Sequence, residues 1–260
     1  MENENLRVSL IQTALIWEDQ DANRNNLELK LAHIDDTDVI ILPEMFTTGF
    51  SMHPEALAEV HAGETLKWMQ KMASEKDALM IGSIIVNEQA NYYNRLYAVM
   101  PDGSFTIYDK RHLFRMGEEN EHYAPGKDKL ILEYKSWKIF PLVCYDLRFP
   151  VWSRNQQNNY DLLIYIANWP EPRNKVWKTL LEARALENQA YVAGVNRVGT
   201  DGAGLSYSGD SRLIDAKGNI ISNIPEHKEF IETINLSKQS LEKFRQKFPV
   251  WMDADSFKIL

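Results

Sequence analysis

The sequence predicts an α/β fold of four layers, an αββα sandwich in which two mixed β-sheets pack face to face under helices on each outer side. Three observations lead there. Short β-rich runs alternate with helical patterns, several of those runs are apolar on successive residues, and two later stretches carry hairpin turns. Ten or more strands with helices outside them imply two packed sheets, each with its own helix layer.

In chain order, Arg7 to Gln12, Val39 to Leu42 and Leu79 to Val86 read as the first strands. Val39-Ile40-Ile41-Leu42 is apolar without alternation, which calls for burial on both faces. Between these strands Leu27, Leu31 and Ile34, then Leu66, Met69 and Ala73, recur at helical spacing and leave a charged opposite face. Asn94 to Met100 and Ser104 to Asp109 flank Asp102-Gly103 as an antiparallel hairpin. The strand-to-helix rhythm then returns: Trp137 to Cys144 and Leu162 to Ala167 are strands, Val176, Leu180, Ala183 and Leu186 mark a helix, and Tyr191 to Asn196 is a strand. Gly209 to Ile214 and Asn219 to Ser222 flank a turn containing Lys217-Gly218, so the sheets are mixed. Gly199 to Gly204 reads as a flexible loop, since it follows neither the phosphate-loop nor the dinucleotide pattern. With no linker or low-complexity tract, residues 1–260 are expected to form one domain, with 237–260 a C-terminal tail.

The chain carries 29 basic and 37 acidic side chains, a net charge of -8, which argues against nucleic acid as a partner. No apolar run approaches the ~18 residues needed to cross a bilayer. The N-terminus Met1-Glu2-Asn3-Glu4-Asn5 is acidic, unlike the basic start of a signal peptide, so neither export nor a membrane partner is expected. Cys144 is the one cysteine, which excludes an intramolecular disulfide and any zinc site built on two thiolates. A reducing compartment is the simpler setting, and the expected location is cytoplasmic. The six histidines, His33, His53, His61, His112, His122 and His227, lack tight ligand spacing, so no metal is expected.

Cys144 ends an apolar strand and is followed at once by Tyr145-Asp146-Leu147-Arg148. A free cysteine is commonly a small buried hydrophobe. A thiol presented at the carboxyl end of a strand is in a place where α/β folds put ligands, and it becomes a strong nucleophile when a base or a positive charge helps to form its thiolate. Glu44 stands at the end of another apolar strand beside Met45-Phe46 and is a candidate general base and acid, because partial burial brings a carboxyl towards the range where it exchanges a proton with a thiol. Lys110 closes a hairpin strand. An ammonium there can stabilise an oxyanion, with a backbone N–H just after Cys144 as second donor. Each of the three also has a bland alternative as turn cap, surface pair or core filler. His112 is the rival base, since Cys-His pairs are a common route to a thiolate. Trp169, after the strand ending at Ala167, is a candidate pocket wall.

Together Leu-Pro-Glu44-Met-Phe, Tyr-Asp-Lys110-Arg-His-Leu-Phe and Leu-Val-Cys144-Tyr-Asp-Leu-Arg-Phe-Pro resemble the nitrilase superfamily of carbon-nitrogen hydrolases. The resemblance runs from about Leu6 to Leu236 and includes Arg184-Ala185-Leu186-Glu187-Asn188 and Ser208-Gly209-Asp210-Ser211. Within that superfamily the chain is most like the omega-amidases, which hydrolyse the terminal amide of 2-oxoglutaramate and related monoamides. The resemblance implies an αββα fold, a homodimer or higher homo-oligomer, and no cofactor. It also implies Cys144 as nucleophile, Glu44 as base and acid, Lys110 as oxyanion stabiliser and Glu119 as a second glutamate that orients the lysine, with Glu118 and Glu121 as competing choices. For a small amide substrate with a distal carboxylate, Arg148 and Arg173 are the candidate cationic partners, beside Tyr145, Trp169 and Phe46 as further substrate-binding candidates. Other branches of the superfamily (deaminated-glutathione amidases, N-carbamoyl amino acid hydrolases, nitrilases), a His112-dependent cysteine hydrolase and a non-catalytic assembly scaffold are the rival readings.

Overall fold

The computed structural model describes residues 5–259. Its first sheet is built from β1 (Asn5–Gln12), β2 (Val39–Ile41), β3 (Glu59–Val60), β4 (Leu79–Glu88), β5 (Asn91–Val99), β6 (Phe105–Asp109) and the late strand β14 (Phe230–Ser237). The order across it is β14-β1-β2-β4-β5-β6, with β3 beside β4. The second sheet holds β7 (Leu132–Tyr134), β8 (Trp137–Val143), β9 (Leu162–Ala167), β10 (Tyr191–Asn196) and β13 (Arg212–Ile214) in the order β13-β10-β9-β8-β7. Each sheet has three parallel central strands, β1-β2-β4 and β8-β9-β10, with antiparallel strands outside them, and the short β3 adds a further parallel pair with β4. That pattern is the physical form of the strand-to-helix rhythm that occurs twice in the sequence.

Why the central strands are apolar on both faces is visible in their partners. Val39, Ile41, Leu79 and Ile81 point into the core shared with Ile139, Ile164 and Ala193 of the other sheet. Ile40 and Met80, one residue out of phase, join Leu27, Leu31, Leu66 and Met69 of helices α1 (Gln20–Ala32) and α3 (Glu64–Lys76). Asp19 caps α1 by accepting from the N–H of Ala22, so the helix starts where the polar run meets the apolar stripe. On the far side, α6 (Asn174–Asn188) covers the second sheet. Gly194 in β10 permits this approach, because a Cβ there would lie 2.4 Å from Leu181. The short helices α2 (Pro54–Leu57), α4 (Glu119–His122) and α5 (Pro150–Ser153) connect the layers.

Three expectations change. The region 199–204 is not a loose loop but the tip of a hairpin, β11 (Val198–Thr200) with β12 (Ser206–Ser208). There the Asp201 carboxylate accepts from the N–H groups of Ala203 and Leu205 and from the Tyr207 hydroxyl. The second late hairpin has one regular arm only. Beyond β13, pairing is confined to Ile214 with Ile220, and Asp215 draws the turn tight by accepting from Lys217 and Asn219. Within the expected tail lies helix α7 (Lys238–Lys247), whose Arg245 donates to Asp161 at 2.8 Å and to the carbonyls of Gln189 and Tyr160. No helix among the described residues is long and apolar enough to cross a membrane.

Candidate active site

The sheets bring one set of strand ends together. Glu44 follows β2, Cys144 follows β8 and Asn168 follows β9, all at carboxyl ends. Strand β6 is antiparallel to β5, which is antiparallel to β4, so Lys110 at its end emerges on the same edge as Glu44. Both turns are tight: Cys144 itself has φ +44° and Met45, next to Glu44, has φ +42°. Such left-handed backbone is uncommon for side chains of this size and gathers at sites where the surrounding structure enforces it. The Cys144 turn is enforced by Asp146, which accepts from the Val143 N–H at 3.1 Å, and by Arg184, which donates to the Leu147 carbonyl at 2.6 Å.

Lys110 Nζ lies 2.9 Å from Glu44 Oε1 and 2.9 Å from both oxygens of Glu119, and all three side chains are sealed from solvent. Glu118 and Glu121 are exposed; the left-handed backbone of Glu118 sends Glu119 inward, where it also accepts from the Phe114 N–H at 2.6 Å. Burial alone would depress the Lys110 ammonium, but Glu119, Glu44 and Cys144 outweigh it and push it up, so the lysine is charged. Burial raises the Glu119 carboxyl against the pull of Lys110. Burial, and then Glu44 with its charge and a hydrogen bond, push the Cys144 thiol well above its ordinary range, opposed by Lys110. The resting sulfur therefore carries its proton, and an acceptor stands against it.

Cys144 lies in a cavity of about 260 Å³ together with Tyr145, Arg148, Asn168, Trp169 and Arg173. Phe50, Phe114, Met116, Asp201 and Tyr207 are among its other walls, and Glu44, Lys110 and Glu119 are buried against Cys144. The Arg148 guanidinium stacks over Trp169 at 5.4 Å and that of Arg173 over Phe114 at 5.2 Å. Neither forms an ion pair with a carboxylate of the described residues, in contrast to Arg95, which is held by Asp109 and Glu88. Phe46 is not brought to this cavity. It is fully buried in the core against Trp68, over Gly82, where a Cβ would come within 2.8 Å of its ring. The strained Met45 turns the chain, so proximity to Glu44 in sequence does not become a shared face. His112 stacks on Phe149 at 3.8 Å, gives Nδ1 to Asp146 at 2.7 Å, and lines a separate cleft of about 930 Å³ with Arg111 and Trp152. Among the described residues no three His, Cys, Asp or Glu side chains group as a metal site.

Residues 7–246 match the carbon-nitrogen hydrolase family. The chain belongs to that family. Among carbon-nitrogen hydrolases it is 48% identical to omega-amidase YafV of Escherichia coli (strain K12), over 98% of both chains. It is 32% identical to 2-oxoglutaramate amidase of Bacillus subtilis (strain 168), over 83% of this chain and 84% of that one. The crystal structure of XC1258 from Xanthomonas campestris, a CN-hydrolase superfamily protein with an arsenic adduct in its active site, superposes with a TM-score of 0.96 at 42% identity, covering 98% of this chain and 99% of the other. The nitrilase-type sandwich is thus the fold of this carbon-nitrogen hydrolase, as the motifs around Glu44, Lys110 and Cys144 imply.

Two site residues escaped the sequence reading. Asn168 donates its N–H to Glu44 Oε2 at 2.8 Å and its side-chain amide to the Glu44 carbonyl at 2.6 Å. Asn94 donates to Glu44 Oε1 at 2.8 Å and to Glu119 Oε1 at 3.2 Å. A signal for Asn94 was present: it lies in phase with Leu96 and Ala98, which face the inter-sheet core, and an asparagine on an apolar strand face needs polar partners.

Proposed function

We infer that this chain hydrolyses the terminal amide of a small carboxylic monoamide, such as 2-oxoglutaramate, through a thioester on Cys144. One observation carries the reading: a single thiol lies at a small cavity, backed by Glu44 and Lys110, while two arginines without carboxylate partners among the described residues stand in the same walls. An arginine fork matches a carboxylate, so a substrate bearing one at its far end would be oriented with its amide at the sulfur.

The chemistry runs in two halves. Glu44 takes the proton of Cys144 as the sulfur attacks the amide carbon, and the oxyanion is held by Lys110 and the N–H of Tyr145. The C–N bond breaks as Glu44 returns the proton to nitrogen, ammonia leaves and a thioester remains. Water then attacks, giving a proton to Glu44. The C–S bond breaks, releasing the acid, and the sulfur recovers its proton. Glu119 keeps Lys110 charged and in place. No step calls for a cofactor, and the reading includes a cytoplasmic homodimer or higher homo-oligomer.

The test is ammonia release from a panel of 2-oxoglutaramate, dicarboxylic acid monoamides, neutral amides, N-carbamoyl amino acids and nitriles. The expected result is preference for the carboxylate-bearing monoamides. Preference for N-carbamoyl acids or nitriles would overturn the substrate class. Absence of turnover across the panel would overturn the activity and favour an assembly scaffold.

A further inference from the structure

We propose that Asn94 is a positioning residue that fixes which oxygen of Glu44 handles the proton of Cys144. The inference rests on the reading of Glu44 as the base and adds to it the device that selects its working atom.

The argument is a count of acceptor sites. A carboxylate offers roughly four, two on each oxygen. Glu119 Oε1 receives Lys110 and Asn94, and Glu119 Oε2 receives Lys110 and the Phe114 N–H, so every site of Glu119 is taken. Glu44 Oε1 receives Lys110 and Asn94 and is also full. Glu44 Oε2 receives the Asn168 N–H and has one site left. Of the two buried carboxylates, only Glu44 has room for a proton, and only on Oε2.

Asn94 closes both Oε1 atoms with one nitrogen, one hydrogen to each carboxylate. Its orientation is set by its neighbours, because a reversed amide would press Oδ1 against two carboxylate oxygens. That Oδ1 is buried and has no hydrogen-bond partner. An unpaired buried acceptor is unfavourable, so the amide is held there for its donors rather than for a balanced fit.

Without those donors both Oε1 atoms open. The carboxamide is faced by Glu44 beyond β2 and Glu119 on α4, which share Lys110 beyond β6; Cys144 beyond β8 interacts with all three, and Tyr123 lies behind Glu119. Two carboxylates then share one ammonium with less compensation, and the cluster binds a proton at higher pH, since hydrogen bonds to a charged carboxylate are what keep protons off it.

The experiment compares the parent with Asn94→Leu, which keeps the shape without donors, and Asn94→Ser, which keeps one. Both are first checked for folding by thermal melting. Expected for Asn94→Leu is a kcat lower by about 30- to 100-fold with KM within about twofold, and an acid limb of kcat/KM displaced upward by about one pH unit. Asn94→Ser falls between. Alkylation of Cys144 by iodoacetamide, specific because the chain has one cysteine, shows the same displacement without any substrate. If the parent hydrolyses no amide, the proposed function fails while the alkylation profile still reads Asn94. A folded Asn94→Leu or Asn94→Ser with parental kcat and an undisplaced alkylation profile would overturn the role.

Discussion

Two polar clusters adjoin Cys144, and they differ in what they leave over. On one side Asp146 accepts from the Val143 N–H, the Tyr108 hydroxyl, the His112 N–H and His112 Nδ1, which fills the carboxylate. His112 lies flat on Phe149. This Asp-His couple looks in sequence like part of a cysteine-hydrolase triad, yet its bonds are spent on holding the turn. On the other side Glu44, Lys110, Glu119 and Asn94 form a more deeply buried group in which one acceptor site, on Glu44 Oε2, stays open. With Glu44 as the proposed base, the difference teaches that such a carboxylate is recognised less by its neighbours' identity than by its incomplete hydrogen bonding.

The comparison is broken most severely at the sulfur. Cys144→Ala should lower ammonia release by about 10⁵-fold or to background, because no other nucleophile faces the cavity at that point. Lys110→Met comes next, with kcat down about 10³-fold. It removes the ammonium between two buried carboxylates, so a fall of about 3–5 kcal/mol in unfolding free energy should accompany it in denaturant melts. Arg148→Ala and Arg173→Ala should each raise KM for 2-oxoglutaramate about 10-fold and leave KM for a neutral amide unchanged, which separates recognition from chemistry. The smallest signal is spectroscopic. A Cys-His ion pair lowers a thiol's pKa, whereas burial and Glu44 raise that of Cys144. The difference in thiolate absorbance between the parent and Cys144→Ala should therefore show no step below about pH 8.5. A step near neutrality would mean that His112, not Glu44, sets the charge on sulfur.

Much of the sandwich was legible because its central strands are buried on both faces, and unbroken apolar runs such as 162–167 and 191–195 have few other uses. Glu44, Lys110 and Cys144 were each legible as strand-end residues, whereas their shared edge follows from the strand directions within the sheets. What sequence could not supply was the long-range bonding. Asn94 and Asn168 reach Glu44 across 50 and 124 residues, and nothing local distinguishes them from turn residues except the apolar phase of Asn94. Phe46 was misplaced because one left-handed residue, Met45, reverses the side on which its neighbour lies. The choice of Glu119 over Glu118 came from the resemblance, and in the fold it turns on the same kind of backbone detail, the left-handed conformation of Glu118.

The most direct test of the central claim measures kcat for Glu44→Gln and His112→Asn side by side on 2-oxoglutaramate. Glutamine keeps the shape of Glu44 but cannot accept the thiol proton, so a loss of about 10³-fold or more is expected. Asparagine at 112 removes the imidazole from a bracing position, for which a loss of less than about 10-fold is expected. Abolition of turnover in His112→Asn with near-parental turnover in Glu44→Gln would contradict the account.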